Sequence, residues 1–404
     1  MDLYLDKTLQ LKPMLEALAH SLAETDYTIN RADVVRWLRP FAATTPTFYL
    51  LFVIPFALLG YFALLLFPAL SIWLYFKLIN SLYYAADYQH WPDAMMIGSF
   101  LLLSTLATIA LARLAFRNPA GSAVNDERTP VLFHLVKKLQ QHYGNPGISR
   151  ILITRDDSIQ ITRNPVSGFP IKFRNTLEIG MSALLCTSPM EFRGMLAREI
   201  AKLASQKNPV TGWMLSLHRQ WADYHYYLER SGGLILKPLS FFFRYYSPLY
   251  NTVSFFAARR AEIRSDRYTL EVMEDDDAIN AIIQTIIFQN FLREKYWPQV
   301  VNQPKDGKHR VFLPYKKMSQ TVRKNVKQTD IERWVELELR KFGDTSTTLP
   351  PLKTRLHLLG HIIPVYPPAL EETAAEHYLD LSMQQLLINS FDKSWIRKAG
   401  IQSS

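Results

Sequence analysis

Two long apolar runs constrain the fold of this chain more than any other feature. The first covers residues 48–79 and is interrupted only by two prolines, one glycine and one late lysine, and the second covers residues 94–116. The core of a bilayer needs about 20 apolar residues per helix, so each run is long enough to span it. The pattern predicts a transmembrane helical hairpin, and the alternative is a pair of buried helices in a soluble core.

The charges around these runs predict an orientation. The loop at residues 80–94, which joins the two runs, contains no Lys or Arg, whereas arginines lie before the first run and around the end of the second: Arg31, Arg36, Arg39, Arg113, Arg117 and Arg128. The positive-inside rule then places both termini and the large domain in the cytoplasm and the short loop outside. The first run starts too far along the chain for a signal peptide and has no small-residue cleavage site.

Outside the apolar runs, the sequence predicts a soluble helical domain with a small sheet. Hydrophobic residues make up 48% of the 404 residues, yet the mean hydropathy is only -0.05, so the remainder is polar. Residues 150–155, 158–163 and 171–180 alternate apolar and polar positions and are rich in β-branched residues, which predicts a small antiparallel sheet. The single cysteine, Cys186, excludes an intramolecular disulfide and suits a reducing compartment. The expected fold class is α+β and helix-dominated.

A helix start is encoded at Ser188. Ser188 is a suitable N-cap, Pro189 suits the first helical position, and Glu191 completes a Ser-x-x-Glu capping box. Further along this helix, Arg198 and Lys202 lie four residues apart and therefore project on the same side. The sequence "REIAK" at 198–202 has the spacing of the HExxH zinc motif, with its Glu but without either histidine.

Three stretches resemble the HtpX-like and CAAX prenyl protease family of membrane zinc metallopeptidases. They are "ALLCTSPMEFRGMLAREIAKLA", "ARRAEIRSDRYTLEV" with Arg259, Glu262 and Asp266, and "TTLPPLKTRLHLL", in which Leu349 stands at the position of a family histidine. The resemblance covers residues 50–360 in order and spacing. It implies a gluzincin-like domain, multi-pass insertion in a bacterial inner (cytoplasmic) membrane, Glu199 at the position of the general base, Glu262 at that of the third zinc ligand and Asp266 as its support.

The residues at the histidine positions argue against zinc. Arg198 donates hydrogen bonds only and stays protonated, so it cannot be a metal ligand, and Lys202 could ligate only as a neutral amine. The sequence therefore predicts no zinc or other cofactor and no assignable catalytic residue. We hypothesise that Arg198 and Lys202 form ion pairs with Glu199, Glu262 and Asp266 in place of a metal. The alternative is that these are exposed charges without partners.

The predicted organisation has four parts. They are an N-terminal helical cap at 1–46, the transmembrane hairpin at 47–117, the metallopeptidase-like cytoplasmic domain at 118–360, and a C-terminal helical tail at 361–404. Residues 117–130 are predicted to be a linker. The aromatic segment at 232–258 is interpreted as a helix at the cytoplasmic interface that keeps Lys237 and Arg244 in water, and the alternative is a soluble aromatic core helix.

Residues 305–327 carry eight Lys or Arg against one Asp and hold most of the net charge of +10. Anionic lipid headgroups are the partner that this charge predicts for a membrane-tethered segment, and a solvated loop is the alternative. No nucleic-acid-binding motif accompanies the stretch, so no nucleic acid is expected. The pairs His357 with His361 and His218 with His225 have helical spacing but lack a third ligand, and structural roles are expected for them.

Three functions follow from these patterns. The first is a catalytically inactive membrane pseudopeptidase that acts as a scaffold, a regulator or a binding partner of an unidentified protein, holding an extended peptide along the strand at 171–180. The second is an active membrane metalloendopeptidase with non-standard ligands. The third is a membrane adaptor that works through residues 305–327.

Overall fold

The fold is helix-dominated with one small sheet, as the sequence predicts. The computed structural model describes residues 31–83, 91–115, 121–165, 173–206, 209–231, 233–273, 275–301, 312–341, 348–360 and 370–398. The strands are β1 (Ser122–Val124), β2 (Ile148–Thr154), β3 (Ile159–Pro165) and β4 (Phe173–Gly180). The helices are α1 (Arg31–Thr44), α2 (Pro46–Tyr83), α3 (Trp91–Ala115), α4 (Pro130–His142), α5 (Met181–Cys186), α6 (Pro189–Ala204), α7 (Pro209–Ser231), α8 (Lys237–Val253), α9 (Phe255–Leu270), α10 (Asp275–Asn290), α11 (Trp297–Val301), α12 (Pro314–Asn325), α13 (Gln328–Leu339), α14 (Leu352–Leu358), α15 (Ala374–Tyr378) and α16 (Leu381–Lys398), with a π-helical turn at Phe291–Tyr296 between α10 and α11.

Contacts divide the chain into two compact units. The first unit comprises Met1–Thr108, Leu217–Ala257 and Thr345–Thr348, and the second comprises Ile109–Ser216, Ala258–Asp344 and Leu349–Ser404. Of the cap predicted at 1–46, residues 1–30 lie outside the described part of the chain, and the rest is mostly α1. Of the tail predicted at 361–404, residues 361–369 and 399–404 lie outside it, and the rest contains α15 and α16.

The apolar runs form the helices that dominate the first unit. By length and composition, α2 and the part of α3 at Trp91–Ala112 are suited to cross a membrane. Most of their large apolar side chains are exposed, among them Phe62 (67%) and Leu102 (63%), whereas the core helices of soluble proteins bury such side chains. The Ser71 hydroxyl donates a hydrogen bond to the Ser104 hydroxyl at 2.9 Å, which joins α2 to α3 through small polar residues.

The aromatic helix α8 packs against α2. The Tyr49 hydroxyl on α2 donates to the Val253 carbonyl at 2.6 Å, and the Tyr246 hydroxyl on α8 donates to the Phe56 carbonyl of α2. Lys237 and Arg244 are exposed on α8, so its charged side chains remain accessible to water while its aromatic side is buried. Helix α8, which forms most of the segment at 232–258, is thus amphipathic and belongs to the first unit, and the end of the segment lies in α9.

The sheet of the second unit is mixed, and the prediction of a purely antiparallel sheet is wrong. Its strand order is β1-β2-β4-β3, with β1–β2 and β3–β4 antiparallel and β2–β4 parallel. Residues 173–180 insert between β2 and β3 because residues 176–180 are buried throughout, and a strand with both faces covered belongs in the interior of a sheet. β1 lies within residues 117–130, so this stretch is not only a linker.

Helix α6 has the predicted start and lies in the core of the second unit. The Ser188 side chain accepts from the Glu191 amide and the Glu191 carboxylate accepts from the Ser188 amide, which completes the capping box. Gly194 lets α6 approach α10 closely, because a Cβ there would lie 2.3 Å from the Ala281 Cβ. The capping and the close packing fix the position of the polar side of α6.

We expect Gly60→Ala to destabilise the first unit, because a Cβ at Gly60 would lie 2.7 Å from the Trp221 ring and 2.8 Å from the Tyr246 ring. Overpacking of this kind costs about 1–3 kcal/mol. The matched control is Gly98→Ala on α3, where the described residues place no atom beyond the adjacent backbone of the helix within 4 Å of the added Cβ. Thermal unfolding in detergent measures both variants. Shifts of the same sign and size would contradict the proposed contact.

Candidate functional site

Three helices of the second unit bring a cluster of six charged side chains together. Helix α6 carries Arg198, Glu199 and Lys202, α9 carries Glu262 and Asp266, and α14 carries Arg355. The spacing of four residues places Arg198 and Lys202 on one side of α6, and Glu262 and Asp266 on one side of α9. We call these six residues the ion-pair cluster.

Glu262 bridges the two cations of α6. Its Oε2 lies 2.6 Å from the Arg198 Nη2, and its Oε1 lies 2.5 Å from the Lys202 Nζ. The Arg198 Nη1 also lies 3.4 Å from the Glu199 Oε1. The ion pairs that the sequence hypothesis expected from Arg198 and Lys202 are therefore present.

Asp266 bridges two arginines. Its Oδ1 accepts from the Arg198 Nε at 2.8 Å and from the Arg355 Nη2 at 2.9 Å, and its Oδ2 accepts from the Arg355 Nε at 2.7 Å. The contact with Arg355 is bidentate, the geometry in which a guanidinium binds a carboxylate most strongly. Asp266 thereby connects α9 to both α6 and α14.

A serine side chain of α9 also binds the backbone of α6. The Ser265 hydroxyl donates to the Arg198 carbonyl at 2.8 Å, and Ser265 is completely buried. This bond fixes the position of α9 along the axis of α6. As a result, the carboxylates of Glu262 and Asp266 lie opposite the cationic side chains of α6.

The cluster is buried and its formal charges cancel. Asp266 and Glu262 expose only 3% and 8% of their side chains, whereas Lys202, at the edge, exposes 32%. Three cationic side chains face three carboxylates, so the sum of the formal charges is zero. A buried group of charges persists only when each charge is paired and hydrogen-bonded, and the contacts above satisfy this condition.

The pairing keeps Glu262, Asp266 and Lys202 ionised at neutral pH. Burial by itself would raise the pKa of the Glu262 carboxyl, but the charges of Lys202 and Arg198 outweigh it and lower the pKa to about 2. Burial also acts to raise the pKa of Asp266, and Arg355 and Arg198 reverse the direction and lower it. For Lys202, burial acts to lower the pKa, and the charges of Glu199 and Glu262 raise it above its ordinary value.

These residues do not fit a divalent metal. An arginine has no lone pair to offer, and the raised pKa of Lys202 keeps its amine protonated and unable to ligate. Glu262, which stands at the position of a zinc ligand in the resemblance, has one oxygen bound to Arg198 and the other to Lys202. Among the described residues, no group of three or more His, Cys, Asp or Glu side chains has the arrangement of a metal site.

Sequence reasoning identified five of the six residues and missed Arg355. The sequence does contain an indication of its role, because Arg355 lies in the stretch "PPLKTRLHLL" that carries part of the resemblance. Within this stretch it lies between the apolar positions Leu352 and Leu356. Four other arginines lie within residues 259–267, and nothing in the sequence says which arginine pairs with Asp266. The bidentate contact depends on the packing of α14 beside α9, which the sequence does not show.

The remaining candidates are not members of the ion-pair cluster, and some of them lie outside the described residues. Arg259 donates to the Leu349 carbonyl at 3.3 Å. The His218 Nε2 lies 2.6 Å from the Ser254 hydroxyl, and the His225 Nε2 lies 3.6 Å from the Glu229 carboxylate. His357 is exposed on α14, and His361 lies outside the described residues. Of the basic stretch 305–327, residues 305–311 lie outside them and the rest is mostly α12.

The prediction that the strand at 171–180 forms the edge of a peptide-binding groove is wrong. The stretch 171–180 contains β4, which is paired on both sides. The outer strand beside it is β3, which packs near α6 and to which the part of the chain that the structure describes adds no further strand.

Comparison of this chain with protein-family models, with curated proteins and with solved structures gave no match.

We expect Arg198→Ala to lower the free energy of unfolding by about 3–5 kcal/mol, because it leaves Glu262 and Asp266 buried with one cation fewer. The matched control is Arg340→Ala, which removes the exposed pair with Glu336, in which the side chains are 72% and 61% exposed. Such surface pairs contribute about 0–1 kcal/mol. Thermal or denaturant unfolding in detergent compares the two. Equal losses would show that the cluster does not hold the helices together.

A second prediction concerns pH. Because the pKa of Glu262 is lowered in the folded state, its contribution to stability is complete above about pH 4.5 and is lost as the pH falls towards 2. We expect Glu262→Gln to be less stable than wild type at neutral pH and to lose less stability over this acid range. Melting temperatures over a pH series test this, with Glu336→Gln as the exposed control. If Glu262→Gln lost as much stability as wild type over this acid range, the assignment of the pH dependence to Glu262 would be wrong.

Proposed function

We propose that this protein is a catalytically inactive relative of the HtpX-like membrane zinc peptidases, in which an ion-pair cluster replaces the metal. One observation carries the proposal: Arg198 and Lys202, four residues apart on one helix, both contact Glu262 on a second helix. In a peptidase of the HExxH type, two histidines with this spacing and a distant Glu bind one zinc ion. Here two monovalent cations contribute the same charge of +2 at the equivalent positions.

The electrostatics give a reason for the replacement. Without a cation, Glu199, Glu262 and Asp266 would crowd three negative charges into a mostly buried site, which costs several kcal/mol in repulsion and desolvation. The cationic side chains remove this cost without a metal. We propose that the cluster keeps the peptidase-like architecture intact while the water-activating chemistry is lost, and that Glu199 keeps only the position of the general base.

The resemblance and the apolar helices support a location in a bacterial inner membrane. We propose that α2 and α3 cross a bacterial inner membrane as a hairpin, with the second unit and both termini in the cytoplasm. The arginines that flank the hairpin, and the absence of Lys and Arg from the loop between its helices, support this orientation.

The retained function we propose is binding, as a scaffold, regulator or partner of another protein. An extended peptide segment would add to the outer edge of β3 by backbone hydrogen bonds. Strand addition needs no metal, so it can persist after catalysis has been lost. The alternative, an active peptidase with other ligands, requires Glu262 to release both cations before it could bind zinc.

We expect wild-type protein purified in detergent to contain no stoichiometric zinc, and the double variant Arg198→His, Lys202→His to take up about one zinc per chain. Elemental mass spectrometry after dialysis measures both. The variant restores two neutral imidazoles at the spacing that zinc needs and frees Glu262 as the third ligand.

Two controls accompany this measurement. Adding Glu262→Gln to the double variant removes the third ligand and should weaken zinc retention. Gln385→His with Asn389→His places two exposed histidines four apart on α16, outside the ion-pair cluster, and it should retain less zinc than the site variant. Stoichiometric zinc in wild type would overturn the proposal in favour of an active enzyme, and equal retention by the two histidine pairs would remove its support.

A further inference from the structure

Helix α12 presents a row of lysines that the ion-pair cluster does not explain. Pro314, Tyr315, Met318 and Val322 form its buried side. The opposite side carries the exposed residues Lys316, Lys317, Gln320 and Lys324, and Lys327 follows at the end of the helix. The amphipathic pattern is thus satisfied by packing on one side and leaves the other side cationic.

These lysines differ from the other charged residues in their neighbourhood because their ammonium groups form no direct ion pair among the described residues. Arg323 pairs with Glu376 at 2.6 Å, and Lys295 pairs with Asp330 at 2.5 Å. Among the described residues, no carboxylate lies within 4.0 Å of the ammonium groups of Lys316, Lys317, Lys324 or Lys327. We call these four residues the lysine face.

The helix is held rigidly beneath this face. The Asp392 carboxylate on α16 accepts from the Tyr315 amide at 2.9 Å and from the Lys316 amide at 3.2 Å, which caps the start of α12. The Tyr315 hydroxyl donates to the Arg155 carbonyl at 3.2 Å. Because the start of the helix is fixed in this way, the backbone positions of the lysines keep their spacing and the helix does not need to fold when a ligand binds.

The next helix has the opposite charge. Helix α13 carries Asp330, Glu332, Glu336 and Glu338 against one arginine. An anionic surface would attract α12 and repel α13, which favours one orientation of the second unit over the others.

We propose that the lysine face docks on the anionic headgroups of a lipid bilayer. This rests on α2 and α3 crossing that bilayer, which would keep the face near it at a high effective concentration, and it does not depend on the loss of zinc. Lysine suits this role because each residue near an anionic surface adds attraction without any need for directional contacts. The lipid is preferred to nucleic acid because the four lysines occur without exposed aromatic residues between them on α12 for stacking on bases.

The test places a fluorophore on the lysine face in the full-length protein. Gln320→Cys offers an exposed site, and the native Cys186 is buried and does not compete for the label. The labelled protein is reconstituted in nanodiscs of phosphatidylcholine alone or with added phosphatidylglycerol, and each lipid mixture contains a headgroup quencher. A label at Leu337→Cys on the exposed side of α13 is the positional reference.

We expect strong quenching at position 320 with phosphatidylglycerol, weak quenching in phosphatidylcholine alone, and a decrease in high salt. Lys316→Gln with Lys317→Gln should lower the ratio of docked to undocked protein by about 30-fold. The matched control is Lys137→Gln with Lys138→Gln, an equally exposed adjacent lysine pair on α4 with the same loss of charge, which should leave the quenching unchanged.

Four outcomes would overturn the proposal. Quenching at position 320 no stronger than at position 337 would show that the face does not touch the bilayer. Equal quenching in both lipid mixtures, or equal loss in the two lysine variants, would show that the lysine face does not recognise anionic lipid. Binding of a fluorescent oligonucleotide that requires Lys316 and Lys317, without lipid quenching, would assign the face to nucleic acid.

Discussion

The carboxylate of Glu262 holds two cations of the neighbouring helix, and the arrangement of the second unit around α6 and α9 depends on this interaction. Each of its oxygens contacts one cation, and the Ser265 hydroxyl fixes the register of the two helix backbones beside it. Buried ion pairs of this kind add little net stability relative to an apolar contact, but they strongly disfavour any packing that separates the partners. The cluster therefore specifies how α6 meets α9 more than how strongly the two helices adhere.

A metal ion and a pair of cationic side chains solve the same electrostatic problem in different ways. A zinc ion would place a charge of +2 at one point and leave a coordination position for water. Arg198 and Lys202 spread the same charge over two side chains whose nitrogens donate hydrogen bonds but leave no electrophilic centre. This difference is why the architecture proposed here is compatible with binding but not with metal-assisted hydrolysis, and why the test of that proposal restores imidazoles.

Much of the fold could be predicted from local patterns. The apolar runs give α2 and α3, the Ser188 capping box gives the start of α6, and the alternating segments give β2, β3 and β4. The sequence did not reveal that β4 lies between β2 and β3, because strand order depends on which strand has both faces covered. It also did not reveal β1, whose three residues carry too little pattern to distinguish a strand from a linker.

The sequence by itself determined which residues carry charge and at what spacing, and therefore that Arg198 and Lys202 share one side of a helix, as do Glu262 and Asp266. It also determined that two helices are apolar enough for a bilayer. Only the tertiary structure decided that these two sides face each other, that Arg355 completes the cluster, and that the ammonium groups of Lys316, Lys317 and Lys324 form no direct ion pair among the described residues. The physical reason is that spacing within a helix follows from backbone geometry, whereas the pairing of distant charges depends on how apolar surfaces bring the helices together.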